Sequence, residues 1–117
     1  MTLIIATRRL PDASIAIQPD GAITSANAFK LRDRVTAVLA ATKPDTILVD
    51  LRAVPAIDDA GVDALRSGYT AAAACGAALV VVESRPSVYE HLRTRGLTAV
   101  LPRAAAEEAQ HQVNGDT

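Results

Sequence analysis

Hydrophobic and polar positions alternate between two periods along this chain. Leu3 to Arg8 is a short apolar run rich in β-branched residues, and Ser14-Ile15-Ala16-Ile17-Gln18 alternates in the manner of a half-buried strand. Arg9-Leu10-Pro11-Asp12 between them is a turn signal, so the pair reads as a hairpin at a sheet edge, stopped by Pro19-Asp20-Gly21. The period then lengthens. Phe29, Leu31, Val35, Val38 and Leu39 recur at three- and four-residue spacing and predict an inward helix face, with Thr24 and Ser25 as N-cap candidates and Lys43-Pro44 as the stop. Thr46 to Val49, closed by Asp50, is a continuous apolar run that suits a central strand covered on both sides.

A second helix is expected after Asp58 and Asp59, both good N-cap residues. Its inner face would be Val62, Leu65, Tyr69, Ala72 and Ala73, and Cys75-Gly76 would close it. Ala78 to Val82 is the next apolar strand. Pro86 opens a third helix that turns Val88, Leu92 and Tyr89 inward and ends at Gly96. Leu97 to Leu101 reads as a short strand or extended piece, Arg103 to Gln112 as an Ala/Glu/Gln-rich helix, and Val113 to Thr117 as a frayed tail. The order is β-β-α-β-α-β-α, then a further strand and helix. It predicts a single α/β domain over residues 1–112, with a mixed, partly parallel sheet of about four to five strands and helices packed on it.

Composition narrows the chemistry. The 117 residues suffice for one domain, and half of them are hydrophobic. Twelve basic residues against 13 acidic ones give a net charge of −1, which argues against direct nucleic-acid binding and against a polybasic membrane anchor. A lone cysteine, Cys75, excludes an intramolecular disulfide and any C-x-x-C metal or redox motif; it reads as a small buried hydrophobe. The longest apolar stretch, Ala71 to Val82, is shorter than the ~20 residues of a spanning helix. Met1 to Ala6 precedes Arg8 and Arg9, the reverse of a signal peptide, so a cytoplasmic protein is expected.

Catalytic signals are sparse. Ser67, Ser84, Ser87 and Cys75 lack a neighbouring base apart from His91, which reads as an exposed residue on a polar helix face. There is no nucleophile elbow and no Gly-rich phosphate loop. Asp50, Asp58, Asp59 and Asp63 invite comparison with the magnesium site of a receiver domain. However, the first strand is followed by Arg8-Arg9, and both lysines, Lys30 and Lys43, precede the acidic residues. The reading is therefore non-enzymatic, with no cofactor and no metal.

One set of residues resembles a known family. Ile47-Leu48-Val49-Asp50-Leu51, then Ile57-Asp58-Asp59-Ala60-Gly61-Val62 with Leu65, then Gly76, Leu79 to Val82, Val88, Leu92 and Gly96-Leu97 together resemble the STAS domain of anti-sigma factor antagonists. Gly21-Ala22-Ile23 matches that family's segment before its first long helix. The resemblance implies a protein partner, an anti-sigma factor of the serine-kinase type. In the signalling members, that kinase phosphorylates a serine following the Asp at the start of the second long helix. The unphosphorylated antagonist binds the kinase and releases a sigma factor, and phosphorylation breaks the complex. In this chain Asp58 matches the Asp, Gly61 the Gly and Val62 the aliphatic position, while Asp59 stands where the acceptor serine would be. The implied partner surface is Asp58, Asp59, Ala60, Gly61, Val62 and Asp63 with the loop Pro55 to Ile57, where small Ala60 and Gly61 would admit a partner backbone.

Asp59 has two readings. It is a common residue at a helix start for capping reasons alone. Alternatively, its carboxylate imitates a phosphate at the positive end of the helix, with less charge and one oxygen fewer. Thr24, Ser25, Ser67 and Thr70 are other hydroxyls open to a kinase, with capping or solvent exposure as their ordinary use. A non-phosphorylatable STAS chain also suits an accessory subunit of a transporter or other multiprotein complex. The edge hairpin Leu3 to Gln18 offers a route to a homodimer.

Overall fold

A computed structural model describes residues 2–101. The expected helix at Arg103 to Gln112 and the tail beyond it lie outside the described residues.

Four strands form one mixed sheet in the order β1-β2-β3-β4: β1 Ile4–Arg9, β2 Ile15–Asp20, β3 Thr46–Asp50 and β4 Ala78–Val82. β1 runs antiparallel to β2, and β2, β3 and β4 are parallel. The hairpin turn is held by Asp12, whose Oδ1 accepts bonds from both the Ser14 amide and its hydroxyl. These bonds draw the Asp12 carboxyl below its ordinary value. β2 runs on through Pro19 to Asp20 instead of stopping there. Pro19 sits opposite Ile5 of the edge strand β1. A proline is tolerated where its missing N–H interrupts little pairing.

In-register rows Ile15–Ile47–Leu79 and Ile17–Val49–Val81 face the same way and are fully buried. Helices α1 (Ala28–Thr42) and α2 (Asp59–Ala74) lie side by side over that face. Gly68 of α2 approaches Leu79 and Val35, so the two helices and the sheet meet there. Coverage is one-sided among the described residues: Leu48, Val80 and Val82 on the other face are half-buried.

α1 buries Leu31, Val35, Val38 and Leu39 as its periodicity predicts, but Phe29 is 48% exposed. Phe29 lies two residues before Leu31, which is about 200° around the helix. The expected caps Thr24 and Ser25 stand ahead of the helix, in a turn where the Asn27 side chain accepts from the Thr24 amide. Lys43 ends α1 in the left-handed conformation. On α2, Ala73 is exposed, and so is Cys75, which corrects the expectation of a buried thiol.

α2 and α3 (Pro86–Thr94) end alike. Gly76 and Gly96 adopt positive φ, and the following residues, Ala77 and Leu97, donate back to Ala72 and Leu92 respectively. Both ends are Schellman motifs, which satisfy carbonyls that the helix leaves open. Val88 and Leu92 anchor α3 in the core, while Tyr89 is only half-buried. Leu97 to Leu101 forms no strand. It turns at Thr98, whose carbonyl accepts from the Leu101 amide, and offers β4 one bond, Val81 N–H to the Val100 carbonyl.

Candidate functional site

The start of α2 is built from two chain segments. Ile23 and Ile57 form a short parallel bridge, with the Ile23 amide bonded to the Ala56 carbonyl and the Asp58 amide to the Ile23 carbonyl. Asp58 then joins both segments by its side chain. Oδ1 accepts from the Gly61 amide at 3.1 Å, which is the N-cap bond of α2. Oδ2 accepts from the Ser25 amide at 3.0 Å. Asp58 is therefore the cap, and Asp59 is the first residue of the helix proper.

Asp59 points sideways, toward α3. Its Oδ1 lies 3.1 Å from His91 Nε2, and its Oδ2 lies 3.2 Å from Arg95 Nη2. Arg66 of α2 reinforces the link by donating from Nη2 to the Arg95 carbonyl at 2.9 Å, while its Nη1 lies 3.7 Å from Asp63. The three aspartates at this helix start are thus all paired. Asp58 takes two backbone amides, Asp59 takes the His91 ring and the Arg95 guanidinium, and Asp63 faces Arg66. His91, expected as an exposed residue on a polar helix face, is half-buried with its ring against Asp59. Exposed pairs of this kind add only about 0.2–1 kcal/mol each, so their main effect is on charge and orientation.

The six residues singled out in the sequence divide into two groups. Asp58, Asp59, Ala60 and Asp63 reach the surface, whereas Gly61 and Val62 are buried. Gly61 does not serve to admit a partner backbone. A Cβ there would lie 2.4 Å from Ile57 Cγ1 and 2.9 Å from Ile23 Cγ2, so its smallness lets the helix start close on its own loop. In that loop Pro55 and Ala56 are exposed and Ile57 is buried.

A groove runs alongside, between the starts of α1 and α2. Ala28, Phe29 and Arg32 form one wall, and Ala60, Asp63 and Ala64 the other. Phe29, the chain's one phenylalanine, stands at its rim, and Arg32 contacts its neighbour Asp33. The helical phase of Phe29 already carried this signal, because it falls opposite Leu31. His91 and Arg95 carried none, since their meeting with Asp59 depends on tertiary packing. Among the described residues no group of His, Cys, Asp and Glu side chains is arranged to hold a metal ion, and no helix is long and apolar enough to cross a membrane.

A sequence profile of the STAS domain matches residues 5–110. The chain belongs to the STAS domain family. An anti-sigma factor antagonist from Mycobacterium paratuberculosis superposes with a TM-score of 0.74 at 22% identity, over 86% of this chain and 84% of that one. The anti-sigma factor antagonist SpoIIAA in its unphosphorylated form gives 0.74 at 17% identity, over 96% and 97%. The murine anion transporter Slc26a9 gives 0.66 at 18% identity, over 75% of this chain but only 16% of the transporter. At these identities the likeness is one of fold. No curated protein sequence matches the chain.

Proposed function

We propose that this STAS domain is a non-enzymatic cytoplasmic regulator that binds an anti-sigma factor of the serine-kinase type. The surface it presents is the first turn of α2, Asp58 to Asp63, with the adjoining α1–α2 groove and Phe29. The observation that carries this reading is Asp59 itself. By the family resemblance it stands at the phosphoacceptor position, and it lies on an exposed first turn already capped by Asp58, free of a capping duty. A serine kinase phosphorylates a hydroxyl, which Asp59 lacks, so binding would not be switched by such a kinase at this position. The fold shared with anti-sigma factor antagonists supports the partner class.

The test is capture of a purified cognate anti-sigma kinase by the native chain and by Asp59→Ser. The native chain is expected to incorporate no phosphate at position 59, and the Ser variant to become a substrate. Native binding as tight as that of the unphosphorylated Ser variant would show that Asp59 does not imitate a phosphate. Failure of both forms to bind the kinase would sink the partner assignment. A second reading, an accessory subunit of a transporter assembly, is favoured by the fold shared with the Slc26a9 chain. It predicts co-purification with a membrane complex and no kinase binding.

A further inference from the structure

We infer that His91 and Arg95 form an oxyanion seat that Asp59 occupies from within the chain, so that an external phosphate-type anion reaches them only by displacing it. The inference deepens the reading of position 59 and rests on it for its regulatory meaning.

The geometry of the contact is that of a bound anion. His91 and Arg95 are four residues apart, spanning the last turn of α3 and its C-cap, so their side chains share a face. Each takes a different oxygen of the Asp59 carboxylate, at 3.1 and 3.2 Å. The third basic side chain of that turn, Arg93, is engaged instead by Glu90 of its own helix. The Arg95 backbone is tied to α2, because Arg66 donates to its carbonyl. Two donors held at a spacing that fits two oxygens of one group suit a phosphate as well as a carboxylate.

The occupant is free to leave. The Asp59 side chain is 59% exposed. α2 keeps its cap without it, because Asp58 supplies the bond to Gly61. α3 keeps its core anchors, Val88 and Leu92. Removing Asp59 from the seat therefore uncovers the Arg95 guanidinium and the His91 ring without dismantling either helix. With Asp59 in place both side chains are occupied, and with Asp59 displaced they are open to an oxyanion. A phosphoserine at position 59 would be held by the same pair, which makes the native carboxylate a built-in occupant of that seat.

Titration of the full chain with inorganic phosphate, followed by the NMR shifts of the His91 imidazole and the Arg95 side chain, tests this. Asp59→Ala and Asp59→Asn are each expected to bind phosphate at least five-fold more tightly than the native chain. Adding Arg95→Ala to Asp59→Ala should abolish that gain, and adding Arg93→Ala should leave it. Equal binding by native and Asp59→Ala chains, absence of binding to Asp59→Ala, or binding that survives loss of Arg95 would each overturn the inference. The kinase experiment is separate: failure to bind a kinase leaves the phosphate result standing, and the reverse also holds.

Discussion

Asp58 and Ser25 stand 33 residues apart in sequence, yet the carboxylate of one accepts the backbone N–H of the other at 3.0 Å. The same carboxylate caps α2. Asp58→Ala should therefore lose a cap and a cross-link together and destabilise the domain by about 1–2 kcal/mol. Asp58→Asn keeps one acceptor oxygen and should fall between. Urea unfolding of the three chains checks the order.

Gly61→Ala sets helix propensity against packing. Alanine is the better helix former by about 1 kcal/mol. Its Cβ would nevertheless fall within 3.0 Å of Ile57 and Ile23 side-chain carbons, and overpacking of this kind costs about 1–3 kcal/mol. A net loss of stability in thermal unfolding is the expected outcome, with no gain in helix content by circular dichroism.

Phe29 and Leu31 are close in sequence but opposite in role. Leu31 is fully buried, so Leu31→Ala should cost about 2–5 kcal/mol. Phe29→Ala should change stability by less than about 0.5 kcal/mol, as for other surface positions. If the groove contacts the partner, Phe29→Ala weakens kinase binding while the melting temperature stays put. Parallel calorimetry and binding measurements separate the two effects.

Glu90 is drawn below its ordinary value by the hydrogen bond from Arg93. A carboxyl depressed on folding contributes stability that is present above its unfolded pKa and lost as pH falls through its folded one. Acidification through the carboxylate range should therefore weaken α3 at this pair. Arg93→Ala should return the Glu90 titration, followed by carboxyl carbon shifts, toward its ordinary position.

Cys75 is exposed at the end of α2. One equivalent of a thiol reagent should react with the native chain without denaturant. Slow reaction, accelerated by urea, would mean that the thiol is covered.

The strands and helices could be read from the sequence because each has its own period, as in Ile47 and Val49 of β3 or Leu31, Val35 and Val38 of α1. Helix ends were legible where local chemistry decides them, at Asp58 and Gly76. Phe29 has apolar neighbours at helical spacing, but its phase, about 200° from Leu31, sets it outside the inward face of Leu31, Val35 and Val38. Leu97 to Leu101 resembled a strand in composition, but a turn at Thr98 interrupts it. Asp59 stands out in the sequence through the family resemblance alone. Its engagement with His91 and Arg95 was not legible, because those groups lie 32 and 36 positions further along the chain and meet it only on folding.

The bridge between Ile23 and Ile57 makes both long helices set out from one stitched corner. The backbone at that corner is ordered when the chain folds, ahead of any encounter. A partner landing there meets a surface already in its final shape, and little conformational entropy remains to be lost on docking. Association at this end of the molecule should behave as the meeting of rigid bodies, with affinity set by how long the complex lasts more than by how fast it forms.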